Sequence, residues 1–134
     1  MNPKDLVRRF YGEVATDGNL DALDELLTDD FVLHGGPRGD AAGAAPVAAN
    51  LRALHAAFDG LTFEVHDVLA DGDRMAARWT MHGKHTGDFY GRPGSGAAIE
   101  QRGTVFYRVA DGRIAEQWVL VDVAGMVGQI EAAA

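Results

Sequence analysis

A carboxylate closing an apolar strand is a candidate acid or base, and this chain carries one at Asp122, the end of the run Glu116-Gln117-Trp118-Val119-Leu120-Val121-Asp122. Strand alternation puts Trp118, Leu120 and Asp122 on one face and Gln117, Val119 and Val121 on the other. If the Trp118 face looks inward, Asp122 stands at the lip of an apolar cavity. Desolvation there raises a carboxyl pKa and suits the group to acid or base work near neutral pH. The competing reading is an N-cap for the helical segment that follows, a position at which aspartate is strongly preferred. Residue types alone leave both open.

Other candidates are sparser. His34 ends the short apolar strand Phe31-Val32-Leu33-His34 and faces a glycine-rich segment. It suits the mouth of a pocket, as hydrogen-bond donor or proton shuttle, or equally a strand end in water. Tyr107 could offer its hydroxyl to an oxyanion, although strand tyrosines more often pack with a satisfied hydroxyl. His34, His55, His66, His82 and His85 include no i, i+4 pair on a helix and no HExxH arrangement, so no metal site is expected. The absence of cysteine removes thiolate ligands, disulfides and cysteine nucleophiles. The glycine-rich run Gly83 to Gly96 lacks the lysine-serine/threonine ending of a P-loop, and no nucleophile elbow is present.

The elements that must position these residues follow from spacing. Pro3 fits a first helical turn, and Leu6, Val7, Phe10, Tyr11 and Val14 recur at helical intervals. Asp17-Gly18-Asn19 interrupts that helix, and Leu20, Leu23, Leu26 and Leu27 make a shorter second one. Gly35-Gly36-Pro37-Arg38-Gly39-Asp40 reads as a loop, and Pro46 to Phe58 as a third helix. Strands then follow: one with Leu61, Phe63, Val65, Val68 and Leu69; one from Met75 to His82; one from Ala97 to Val109; and one from Ile114 to Val121. Asp71-Gly72-Asp73 and Asp111-Gly112 are hairpin signals. In the Met75 strand the apolar set Ala77, Trp79 and Met81 is the core face, leaving Arg78 and His82 in solvent or at an interface. Val123 to Ile130 can form a terminal helix. Helices followed by a meander of antiparallel strands specify an α+β arrangement, with a pocket between the helices and a concave sheet.

The chain has 134 residues, the size of one ordinary domain, and we read residues 1-134 as a single unit. Twelve basic against 20 acidic residues give a net charge of −8, which argues against nucleic acid or an anionic membrane as partner. No segment reaches signal-peptide or membrane-spanning apolar length, so a cytoplasmic location is expected.

Several of these stretches together resemble a known family. The FYGEV helix, Asp30-Phe31-Val32-Leu33-His34, Arg78-Trp79-Thr80-Met81-His82-Gly83-Lys84-His85-Thr86-Gly87-Asp88-Phe89, and Asp111-Gly112-Arg113-Ile114-Ala115-Glu116-Gln117-Trp118 followed by Asp122 look like the SnoaL-like polyketide cyclases of the nuclear transport factor 2-like superfamily. The resemblance covers nearly the whole chain in order. It implies a cone-shaped α+β barrel whose curved, mostly antiparallel sheet and three N-terminal helices enclose a pocket, and a homodimer formed through the outer sheet face. It implies cofactor-independent intramolecular aldol closure, or related lyase/isomerase chemistry, on a small hydrophobic polycyclic or dicarbonyl substrate. Asp122 matches the family's acid/base and His34 a polar position near the cavity. Trp118 would be a stacking wall, joined at the substrate by Tyr107, Trp79, Leu120 and Phe63. An epoxide hydrolase of this fold would need an arginine two residues before an aspartate, and positions 80 and 110 are threonine and alanine. The alternative within the same fold is a non-catalytic module that binds a small hydrophobic ligand or serves dimerisation.

Overall fold

A computed structural model describes residues 2–36 and 39–133. The apolar stripe at the start folds as α1 (Pro3–Arg9), capped by the Asn2 side chain, and runs on as a π-helical segment (Phe10–Thr16). Leu6, Val7, Phe10, Tyr11 and Val14, the residues set out by the helical spacing, are all buried. Gly18 takes a left-handed conformation (φ 79°) and ends the segment, as the Asp-Gly-Asn signal predicts. A 3₁₀ turn (Leu20–Ala22) and α2 (Leu23–Leu26) follow.

The chain then builds β1 (Leu27–Gly36), β2 (Gly39–Ala42), α3 (Ala44–Ala57), β3 (Phe58–Asp71), β4 (Arg74–His85), β5 (Ala98–Ala110), β6 (Arg113–Val121) and α4 (Val123–Ala133). The six strands form one curved sheet in the order β2-β1-β6-β5-β4-β3. All neighbours are antiparallel except β1 and β6, which run parallel. This is the expected α+β fold. The sheet curves without closing, with β2 and β3 as its two edges. No helix among the described residues is long and apolar enough to cross a membrane.

One expected loop is strand instead. Gly35 and Gly36 extend β1, and Gly39 and Asp40 begin β2; Pro37 and Arg38 lie outside the described residues. Glycine at 35 is a packing requirement. Its φ is +80°, and a Cβ there would stand 2.5 Å from the Val119 carbonyl oxygen on β6.

Register in the two hairpins sets every side chain's face. In the β5–β6 hairpin Asp111 (φ 53°) and Gly112 (φ 73°) both take positive φ, as a tight two-residue turn requires, and Ala110 pairs Arg113. Val109 pairs Ile114, but Arg108 pairs Glu116, so Ala115 is an extra residue, a β-bulge. Ile114 and Ala115 are consequently both buried. Alternation restarts one residue later, and this reverses the faces of β6. Gln117, Val119 and Val121 look inward, while Trp118, Leu120 and Asp122 look outward. In β4 no such slip occurs, and Ala77, Trp79 and Met81 are in the core as their apolar character predicts.

Candidate active site

The concave sheet face, the first helical segment, α3 and α4 enclose a cavity of about 510 Å³. That volume falls in the range of small-molecule sites. The sheet wall carries Phe63 from β3, Trp79 and Met81 from β4, Gln101 from β5 and Gln117, Val119 and Val121 from β6. Tyr11 and Ala15 on the π-helical segment, Leu51 and Leu54 on α3, and Met126 and Val127 on α4 close the other sides. The loop between β4 and β5 adds Phe89, Tyr90 and Arg92. Tyr90 is 66% exposed and holds a positive φ of 48°, placing a large ring at the mouth.

A polar string crosses this apolar interior. The Tyr107 hydroxyl donates to Tyr11 Oη at 2.7 Å, and both residues are buried. Burial pushes both phenols above the ordinary tyrosine range, so they stay protonated at neutral pH; for Tyr11 the hydrogen bond from Tyr107 and the nearby Trp79 indole oppose part of that rise. Trp79 lies edge-on to Phe63, with ring centroids 5.0 Å apart, and 5.6 Å from Tyr11. Its buried Nε1–H is directed at the Tyr11 hydroxyl, short of full hydrogen-bond geometry. Gln117, directly across from Tyr107 in the β5–β6 ladder, is 3% exposed and its Nε2 is unpaired among the described residues.

Of the residues expected at the substrate, Trp79 and Phe63 line the cavity, and Tyr107 lies fully buried just behind it, bonded to Tyr11. The other four are elsewhere. Leu120 is 75% exposed on the outer sheet face. Asp122 is exposed, and its Oδ1 accepts the Gly125 N–H at 2.8 Å, the N-cap bond of α4. The lip position expected for Asp122 is thus corrected: the bulge at Ala115 turns its side chain away from the cavity. Trp118 and His34, direct partners in the parallel β1–β6 pair, stack on each other outside, with centroids 5.1 Å apart and planes at 13°. His34 therefore does not line the mouth; the inward neighbour at that point of β1 is Leu33.

His34 belongs to a charged cluster on the outer face. Its Nδ1 lies 3.0 Å from Asp40 and its Nε2 2.8 Å from Glu116, which also accepts from Arg108 Nε at 2.7 Å. Hydrogen bonds to Glu116 and Asp40 raise the His34 pKa, and bonding to His34 lowers both carboxyls. The histidine's stabilising contribution is complete below its unfolded pKa of about 6.5 and is lost as pH rises through the raised folded value. The carboxylates' contribution is complete above about pH 4 and is lost as pH falls through their lowered values. The cluster should therefore be strongest near pH 5 to 6, by the same reference values. NMR titration should show the His34 ring holding its proton above the ordinary histidine range, and Glu116→Gln should move its midpoint down. An unchanged midpoint would disprove the coupling.

Tyr11 and Gln117 were not among the expected site residues. Tyr11 reads in sequence as one more member of a helix's apolar stripe. Gln117 carried a usable signal, a lone amide on a strand face otherwise made of valines. Among the described residues no group of three or more histidine or carboxylate side chains comes together as a metal site would require. Nor does any carboxylate or histidine line the cavity among them; Arg92, 3.8 Å from Glu131, is the one charged residue at its wall.

Comparison with known proteins gives a consistent result. The profile of the SnoaL-like polyketide cyclase family matches residues 5–130. The fold superposes on IdmH of Streptomyces antibioticus, described as a candidate polyketide cyclase, with a TM-score of 0.86, 31% identity, and coverage of 98% of this chain and 99% of that one. A candidate polyketide cyclase of Acidithiobacillus ferrooxidans gives a TM-score of 0.87 at 29% identity, covering 98% and 95%. A candidate SnoaL-like cyclase of Jannaschia sp. gives 0.84 at 26%, covering 96% and 91%. No match was found among curated proteins.

Proposed function

The chain belongs to the SnoaL-like polyketide cyclase family, and from that premise we propose that it is a cyclase-like enzyme that closes a ring in a hydrophobic, carbonyl-bearing substrate held in the cavity. The observation that carries this reading is the tyrosine pair in the apolar interior. A protonated Tyr11 at the wall, with its oxygen already accepting from Tyr107, has its own proton free to give to a substrate carbonyl. That bond polarises the carbonyl and strengthens as charge gathers on its oxygen. The nucleophilic carbon of the 1,3-dicarbonyl reacts as its enol. As the new C–C bond replaces the C=O π bond, the enol O–H proton passes to water, the new alkoxide takes the Tyr11 proton, and water returns a proton to Tyr11. Enclosure adds to this by folding the substrate so that its reacting carbons meet. The test is ring closure of an aromatic 1,3-dicarbonyl ester by the wild-type protein. Tight binding with no product above the buffer rate would instead make the protein a binding module.

The acid/base role assigned to Asp122 from sequence gives way here to capping. Its exposed carboxylate and its bond to Gly125 N–H support that reading. Asparagine caps almost as well as aspartate, so Asp122→Asn should keep both stability and turnover within a few fold, whereas Asp122→Ala should cost about 1 kcal/mol of stability. A loss of turnover of about 100-fold or more in a stably folded Asp122→Asn protein would restore the acid/base role.

The homodimer expected from the resemblance is also part of the proposal. Phe106 and Leu120, 62% and 75% exposed, lie on adjacent strands of the outer face. Arg78, Arg108 and Glu116 on the same face supply both signs of charge, as a self-pairing surface needs. Native mass measurement should give a dimer and the Phe106→Asp, Leu120→Asp double variant a monomer; a monomeric wild-type protein at high concentration would refute it.

A further inference from the structure

We propose that Arg92, at the mouth of the cavity, is an anion-binding residue, and that the ligand is amphiphilic, with an apolar body inside the cavity and a carboxylate that stays at the mouth. This rests on the reading of the cavity as a substrate site, and it adds a charged group to a substrate so far described only as hydrophobic and carbonyl-bearing.

The mouth is marked by apolar side chains that belong to the cavity wall and yet reach solvent, Tyr90 at 66% exposure and Val123 at 49%. Arg92 stands two residues beyond Tyr90 and is the one charged side chain of the wall among the described residues. Its backbone is held in place. Phe89 and Arg92 exchange both N–H···O=C bonds, at 2.9 and 3.0 Å, across a two-residue turn in which Tyr90 and Gly91 take positive φ. Asp88 accepts the Gly91 N–H inside that turn, and Phe89 is buried against Phe58, which ties the turn to the core. The Arg92 side chain therefore starts from a fixed point.

Its guanidinium is only loosely engaged. Glu131 Oε1 on α4 lies 3.8 Å from Arg92 Nε, beyond hydrogen-bond reach, and the two side chains are 40% and 65% exposed. Exposed ion pairs of this kind contribute little, so a ligand anion can displace Glu131 at small cost. A carboxylate offers two oxygens that match the fork of guanidinium N–H groups, a geometry Glu131 does not achieve. No carboxylate lines the cavity among the described residues to oppose a second negative charge. The net charge of −8 repels anions at long range, but salt screens that field within about 10 Å, and contact with Arg92 then decides. Deep in the apolar interior an anion would lose its hydration without compensation. At the mouth it keeps water on one side and Arg92 on the other. The charge also sets orientation: the apolar end enters toward Tyr11 and the carboxylate trails.

The experiment compares 1-naphthylacetate with 1-naphthylacetamide, two bicyclic probes of nearly the same shape, one anionic and one neutral near neutral pH. Calorimetric titration should show the wild-type protein binding the acid about tenfold more tightly than the amide, the low end for a hydrogen bond to a charged group. Added salt should shrink that preference. Arg92→Gln should bring the acid down to the level of the amide, and Arg92→Lys, which keeps the charge but loses the fork, should retain part of the preference. Glu131→Gln removes the competing carboxylate and should tighten the acid several-fold while leaving the amide unchanged. A merely structural tie between the loop and α4 would instead move both probes together. Equal affinities of acid and amide for the wild-type protein, or a preference that survives Arg92→Gln, would overturn the anion site yet leave the cavity standing. Failure of both probes to bind the wild-type protein would overturn the cavity reading itself, and the inference with it.

Discussion

Gly103→Ala should destabilise the protein by about 1–3 kcal/mol, the usual cost of overfilling a packed interior, and should remove ligand binding at the same time. Gly103 is the direct partner of Trp79 across the β4–β5 ladder. The indole lies flat over that glycine, so that even one methyl group would collide with three atoms of its six-membered ring, Cε2, Cζ2 and Cη2. Trp79 is boxed in by Tyr11 and Phe63 on its other sides, so it has no easy retreat except into the cavity. A wall residue pushed inward fills the space a ligand needs. The diagnostic is a double-mutant cycle: Trp79→Leu frees the volume over residue 103, so Gly103→Ala on that background should cost less than on the wild type by about 1–2 kcal/mol, within the usual coupling of contacting residues. Chemical denaturation measures all four corners. Additive costs would show that Gly103 is needed for something other than room for the indole.

That glycine illustrates what the sequence could and could not disclose. The α+β class, the helical stripe from Leu6 to Val14, the Asp-Gly turns and the core face of β4 all rest on local rules of period and turn chemistry, and local rules survive folding. The faces of β6 do not rest on them alone. A strand that reads Ile-Ala-Glu-Gln-Trp-Val-Leu-Val can present either set inward, because both sets hold large apolar groups, and the decision is made by an extra residue at Ala115 that only pairing with β5 reveals. One slipped residue moved Trp118, Leu120 and Asp122 outside and brought Gln117 in. His34 went with them, since β1 pairs in register with β6 and stacks its ring on Trp118. The Gly35-Gly36 stretch failed for a related reason. Glycine content suggested a loop, whereas close approach to the Val119 carbonyl is what demands glycine inside a strand.

Tyr11→Phe should lower kcat for ring closure by about 100-fold to 1,000-fold, the range seen when one donor to a developing oxyanion is removed. Tyr107→Phe should cost markedly less turnover. The difference follows from which phenol faces the cavity: Tyr11 lines it, while Tyr107 sits behind and donates to Tyr11. Losing Tyr11's hydroxyl removes the proton given to the substrate and also leaves the Tyr107 hydroxyl buried without its acceptor. Losing Tyr107's hydroxyl leaves Tyr11 able to donate, with a weaker polarising partner behind it. Both substitutions should cost stability, about 1–3 kcal/mol where a buried partner is stranded, so turnover must be compared at temperatures where each variant is fully folded. Because burial holds Tyr11 above the ordinary phenol range, the wild-type rate should show no tyrosine titration between about pH 6 and 9, below the reference value near 10. Equal losses for the two variants would mean that the pair acts only as packing, and a larger loss for Tyr107→Phe would mean that the substrate meets the other end of the pair.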